Sequence, residues 1–96
     1  MIILSVKHGI LTKRDDYKIN KQYELSPVHK RYLMCLANRQ CNSSKSIKQF
    51  VYGKNADRYG DYIVGQNIQQ IKLQYHIKIQ SVGDSYILRE NIGVMD

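Results

Sequence analysis

At Leu25 the chain changes period, and that change does most to limit the folds open to it. Before it the pattern is that of strands. Ile2 to Val6 is apolar and β-branched, His8 and Gly9 punctuate it, and Ile10 to Lys13 and Tyr17 to Tyr23 continue with partial alternation around a polar turn at Arg14 to Asp16. This predicts a small antiparallel sheet. After Leu25, Ser26 and Pro27 form an N-cap and first-turn pair, and Val28, Tyr32, Cys35 and Leu36 recur at helical spacing, so a helix is expected from about Pro27 to Asn38. In 96 residues there is material for one hydrophobic core, so strands and helices must share a single α+β domain over 1–96.

The rest of the chain continues in helical period and then returns to strands. A polar break at Arg39 to Asn42 leads to Ser43 and Ser44, after which Ile47, Phe50 and Val51 stand at i, i+3 and i+4 and Gly53 supplies a stop, predicting a short second helix. Gly53 to Asp61 reads as a loop, with Asp61 placed to cap the next helix. Val64, Ile68, Ile71 and Tyr75 form one narrow apolar stripe on that third helix, over about 62–75. Its outward face is Gln66, Gln69, Gln70 and Leu73, flanked by Asn67, Lys72 and Gln74, and is nearly all amide. Ile77 and Ile79, a turn at Gly83 and Asp84, and then Tyr86, Ile87 and Leu88 predict a β-hairpin within 76–89. The expected layout is an N-terminal sheet over 1–24, a helical core over 25–75 and the hairpin over 76–89.

Charge and reactive residues narrow the function. The formal net charge is +7, and residues 1 to 48 carry all of the excess, with ten Lys and Arg against three acids. Residues 49 to 96 balance at five against five. A basic excess of this size suits nucleic acid or another anionic surface. Cys35 and Cys41 with the scattered His8, His29 and His76 fit neither a metal knuckle nor a disulfide framework, and Cys35 and Met34 read as core filling. Asp15 and Asp16 are adjacent, a spacing unsuited to a shared-proton dyad, and no nucleophile arrangement, phosphate-cradling loop or cofactor motif stands out. The expectation is a protein that is not an enzyme and takes no metal, cofactor or small-molecule substrate. No apolar run approaches the length of a membrane helix, so the expected location is the cytoplasm.

Two helices joined by a short break, a third with a polar outward face and a closing hairpin make a winged helix-turn-helix. From Leu25 onward the chain resembles the OmpR/PhoB-type winged-helix DNA-binding domain of bacterial regulators. Leu25, Ser26 and Pro27 stand where that family has Leu-Thr-Pro, and Ser43 leads to Val51, Tyr52 and Gly53 as in its second helix. Val64, Ile68 and Ile71 match the spacing of its third helix, and Gly83 to Leu88 resembles its wing hairpin. The likeness spans about two-thirds of the chain. It departs from the family at His29, where a capping Glu is usual, at Gln69, Gln70 and Lys72, where Arg is common, and at Val82, the place of the wing's basic residue. The break before Ser43 is also about two residues shorter.

The resemblance implies a sequence-specific transcriptional regulator whose third helix enters the major groove of double-stranded DNA. Glutamine donates and accepts together at adenine N6 and N7, so Gln66, Gln69 and Gln70 are the expected base readers. Asn67 and Lys72 stand at the groove margin, Ser43, Ser44, Lys45 and Lys48 at the start of the second helix are expected on phosphates, and Lys78 and Gln80 on the first wing strand reach the backbone or minor groove. Tyr52, Tyr59 and Tyr62 bracket the 53–61 loop, which in the resembled family contacts RNA polymerase. Head-to-tail pairing on DNA would bring Ile2 to Tyr23 of one copy against Tyr86 to Leu88 of the next. The chain is then a stand-alone regulator or the cytoplasmic part of a longer, ToxR-like membrane-anchored one. The alternative is a winged-helix protein-protein interaction module without DNA binding, which the balanced second half and the missing arginines favour.

Overall fold

The computed structural model describes residues 1–15, 18–38 and 42–95. Among them the chain forms an α+β fold with three α-helices and two small sheets. In chain order the elements are β1 (Ile2–Ser5), β2 (Ile10–Asp15), β3 (Lys18–Glu24), α1 (Pro27–Asn38), β4 (Asn42–Ser43) and α2 (Ser44–Tyr52). A 3-10 helix (Gly53–Arg58), α3 (Tyr62–Tyr75), β5 (Ile79–Val82), β6 (Ser85–Leu88) and β7 (Ile92–Met95) complete the order.

Alternation decides the first sheet. Ile2 and Leu4 are buried while Ile3 and Ser5 are half-buried, and Leu4 lies opposite Leu11 of β2, so one face turns to the core. β2 pairs antiparallel with both β1 and β3, with an irregularity between Lys13 and Arg14. β7 adds to the other side of β1 in parallel, registering Ile2 with Ile92 and Ser5 with Met95, and the order is β3-β2-β1-β7. The expected antiparallel sheet is therefore a mixed one, and the residues after 89 are part of it. The polar turn does not begin at Arg14, because Arg14 and Asp15 still belong to β2. Asp16, Tyr17, Arg39 and Cys41 lie outside the described residues, and with them part of the expected turn and break.

α1 opens as its sequence directs: the Ser26 hydroxyl accepts the His29 amide hydrogen at 3.1 Å. Its buried face is His29, Tyr32, Leu33, Cys35 and Leu36, so Tyr32, Cys35 and Leu36 are buried as expected and Val28 is exposed. In α2, Ile47 and Val51 are buried but Phe50 is not, and Gly53 ends the helix at a positive φ of 54° while donating to the Gln49 carbonyl. The segment from Gly53 to Arg58 is a 3-10 helix rather than an irregular loop, with Ala56 buried. α3 buries the four stripe residues Val64, Ile68, Ile71 and Tyr75.

β5 and β6 form the expected hairpin, turning on Gly83 (φ 59°) and Asp84 between paired Val82 and Ser85. Asn42, expected in a polar break, is instead buried in β4, opposite Tyr86 of β6, which makes the second sheet three-stranded in the order β4-β6-β5. Both sheets and all three helices contribute to one core, in which Leu4, Leu11, Tyr32, Leu33, Ile47, Val64 and Ile71 are wholly inaccessible. Each such aliphatic side chain stabilises the fold by about 1.5–3 kcal/mol.

Candidate nucleic-acid interface

The outward side of α3 is set by what its inward side buries. With Val64, Ile68, Ile71 and Tyr75 in the core, Gln66, Gln69 and Gln70 are exposed together. Tyr62 and Leu73 are 68% and 65% exposed, so an aromatic and an aliphatic group bracket the amides at spacings of four, three and four through Tyr62, Gln66, Gln69 and Leu73. Asn67 and Lys72 are half-buried on the flanks, and Asn67 Nδ2 donates to the Ile63 carbonyl at 2.9 Å, which turns its amide back onto its own helix. Gln70 is tied to a neighbouring helix: its Oε1 is 3.1 Å from His29 Nε2 on α1.

The start of α2 faces the start of α3 across an open groove of about 830 Å³. Ser43, Ser44, Lys45 and Lys48 all line it, as does Tyr62, so the four expected phosphate contacts are brought together. Their polar groups are in part engaged. Ser43 Oγ accepts the Ser46 amide hydrogen at 3.1 Å as the N-cap, and the Ser44 amide donates to the Asp84 carbonyl in the hairpin turn at 2.7 Å. Lys48 Nζ lies 3.4 Å from Asp61 Oδ1. Asp61 therefore does not cap α3 as expected; its carboxylate, almost fully exposed, reaches across to α2. An exposed pair of this kind contributes at most about 1 kcal/mol. Asp57 and Asp84 line the same groove, so three carboxylates accompany two lysines there and Lys45, which is exposed, is the better placed cation.

The hairpin stands beside α3 because Tyr86 reaches it: a Cβ on Gly65 of α3 would lie 3.5 Å from the Tyr86 hydroxyl. Alternation turns Ile79 to the core and leaves Lys78 and Gln80 exposed. Arg89 donates its amide hydrogen to the Lys78 carbonyl at 2.9 Å, and its Nε donates to Gln80 Oε1 at 2.6 Å. The outward hairpin face thus carries Lys78 and Arg89, a pairing that reading Val82 as the missing basic residue overlooked; the signal was Arg89 opposite Lys78 in the continued ladder. At the other end of α3, His76 adopts a left-handed φ of 53° and its carbonyl accepts from Lys13 Nζ at 2.6 Å, which places a cation on the helix C-terminus.

Tyr52 stacks on Tyr59 with centroids 4.2 Å apart and meets Tyr32 edge-on at 6.2 Å, so these two rings close the 3-10 segment onto α1 while Tyr62 stays exposed. Burial, together with the weaker effect of the hydrogen bond to Tyr52, pushes the Tyr32 phenol far above its ordinary pKa. Tyr75 is also raised, by burial, against an opposing hydrogen bond from the Ser26 backbone. Among the described residues, no cluster of three or more His, Cys, Asp and Glu is arranged to hold a metal ion, and no helix is long and apolar enough to cross a membrane. Comparison with protein-family models, characterised proteins and solved structures finds no significant match.

Proposed function

We propose that this chain is a winged helix-turn-helix domain of OmpR/PhoB type that binds double-stranded DNA in a sequence-specific way and acts as a transcriptional regulator. The observation that carries this reading is the outward face of α3, where three exposed glutamines stand in line between Tyr62 and Leu73 on a helix anchored by its opposite side. Glutamine suits adenine in the major groove, and a helix is the right width to enter it. α2 and α3 are the helix-turn-helix pair, with Lys45 at the groove between them and the hairpin as the wing, carrying Lys78 and Arg89 toward the phosphates or minor groove. Tyr62 joins the interface as a residue able to donate to a phosphate.

Further parts of the reading rest on the same frame. Two copies binding head to tail would meet through the first sheet, in which β1 is paired on both sides and β3 is an outer strand. The 53–61 segment is the proposed polymerase contact, with Tyr59 held on Tyr52. A protein-interaction module on this fold is the second reading, and the three aspartates in the α2–α3 groove favour it.

Binding to mixed genomic duplexes at low and moderate salt separates the two. A DNA reader loses affinity steeply as salt rises and enriches particular sequences on repeated selection. Absence of binding at low salt sinks the DNA reading.

A further inference from the structure

His29 lies under Gln70 and joins it to the helix behind. It is 7% exposed, with Nδ1 2.8 Å from the Tyr75 hydroxyl and Nε2 3.1 Å from Gln70 Oε1. The Tyr75 ring, 5% exposed, meets the imidazole edge-on at 5.5 Å.

These groups can be satisfied in one direction. The Tyr75 hydroxyl has His29 Nδ1 as the acceptor for its proton; the ring then carries its hydrogen on Nε2 and donates to Gln70 Oε1. In the opposite tautomer, Nδ1–H would donate to the Tyr75 oxygen. The phenol proton would then lack an acceptor in a place closed to water, which costs about 1–3 kcal/mol. That tautomer would also need Gln70 turned over, with its amide nitrogen toward the ring.

We propose that His29 is a positioning residue for base readout: it fixes the amide of Gln70 by engaging one lone pair of its oxygen, so that the second lone pair and an N–H are held outward in a constant donor and acceptor order. This rests on the DNA-binding reading and deepens it. A freely rotating glutamine can offer its amide to adenine or turn its two donors to the acceptors of guanine, whereas a pinned one keeps an oxygen lone pair and an N–H for adenine N6 and N7. Preference for adenine over guanine at the base under Gln70 is thus set from α1, by a residue that does not itself meet the DNA.

Two variants test it. Tyr75→Phe keeps the packing and removes the proton that sets the ring's direction; His29→Phe removes both ring nitrogens. Long-range nitrogen–proton NMR spectra of the folded protein should place the His29 hydrogen on Nε2, and should show both tautomers in Tyr75→Phe. In selection from randomised duplexes, each variant should lose about tenfold in discrimination at one base position and keep the others and its non-specific affinity. Circular dichroism establishes that the variants fold, and should His29→Phe fail to do so, Tyr75→Phe decides alone. A wild-type hydrogen on Nδ1, or a Tyr75→Phe protein with the wild-type preference at every position, overturns the positioning role and leaves the DNA reading standing. A wild-type chain that selects no sequence overturns both.

Discussion

Replacing Tyr32 by Phe should change the stability of the fold by an amount whose sign depends on pH. Tyr32 is wholly buried, its hydroxyl 3.1 Å from that of Tyr52, which is itself half-buried and able to find water. At neutral pH the substitution therefore removes one hydrogen bond and should cost about 1 kcal/mol. In the unfolded chain the phenol ionises near pH 10, whereas in the fold burial and then the Tyr52 bond hold its proton far above that. A raised acid binds more protons in the native state, so its contribution is complete below the unfolded pKa and is lost as pH rises past it, by about 1.4 kcal/mol per pH unit. Phe has no such loss. The advantage of the wild type should shrink above about pH 10 and reverse before about pH 11. Urea unfolding monitored by circular dichroism at several pH values measures the gap, and the ionisation of tyrosines and lysines that do not touch position 32 is common to both proteins. A gap that stays constant from neutral to strongly alkaline solution would refute the argument that Tyr32 keeps its proton because of where it is buried.

Three further outcomes are expected. Gln66→Ala and Gln69→Ala should each relax preference at one base position at a cost of about 1–3 kcal/mol on the best site, with binding to unrelated DNA nearly unchanged, as fluorescence anisotropy on matched duplexes will show. Lys45→Ala and Arg89→Ala should lower affinity about equally for all sequences and each reduce the salt slope by about one unit, whereas Lys48→Ala should do less because Asp61 already neutralises it. Ser43→Ala removes the N-cap of α2 and should cost about 1 kcal/mol in thermal or urea unfolding, with little effect from Ser44→Ala.

The residues alone reveal whatever local chemistry dictates. The four-residue stripe of α3 shows because a helix that buries one side must repeat Val64, Ile68, Ile71 and Tyr75 at its own pitch, and the Ser26 cap shows because a hydroxyl before a helix answers an amide hydrogen nearby in sequence. Features that escaped depended on distant partners. Asn42 and Ser43 are a strand through their pairing with Tyr86 and Ser85, and Ile92 to Met95, weakened by Gly93, is a strand because β1 lies beside it. Asp61 looks like a cap until the fold brings Lys48 within its reach. The expected faces of α1 and α2 hold for Tyr32, Cys35, Leu36, Ile47 and Val51, which are buried, while Val28 and Phe50 at their margins are exposed. His29 carries no signal as a lone histidine, and its meaning appears when α3 delivers Gln70 and Tyr75 to its two nitrogens.

The parallel pairing of β1 with β7 constrains the order in which the chain can assemble. Ile2 leaves the ribosome long before Ile92, yet the two are laddered together. β1 can zip with β2 early, through a short local turn, but its second row of backbone donors and acceptors must wait until all of the intervening helices and the hairpin have been made. During that wait Ile2 to Ser5 is an open, mostly apolar template on which another nascent chain could add a strand. Arrival of Ile92 to Met95 covers it, and the open edge of the sheet passes from β1 to this late, short strand, which Gly93 interrupts.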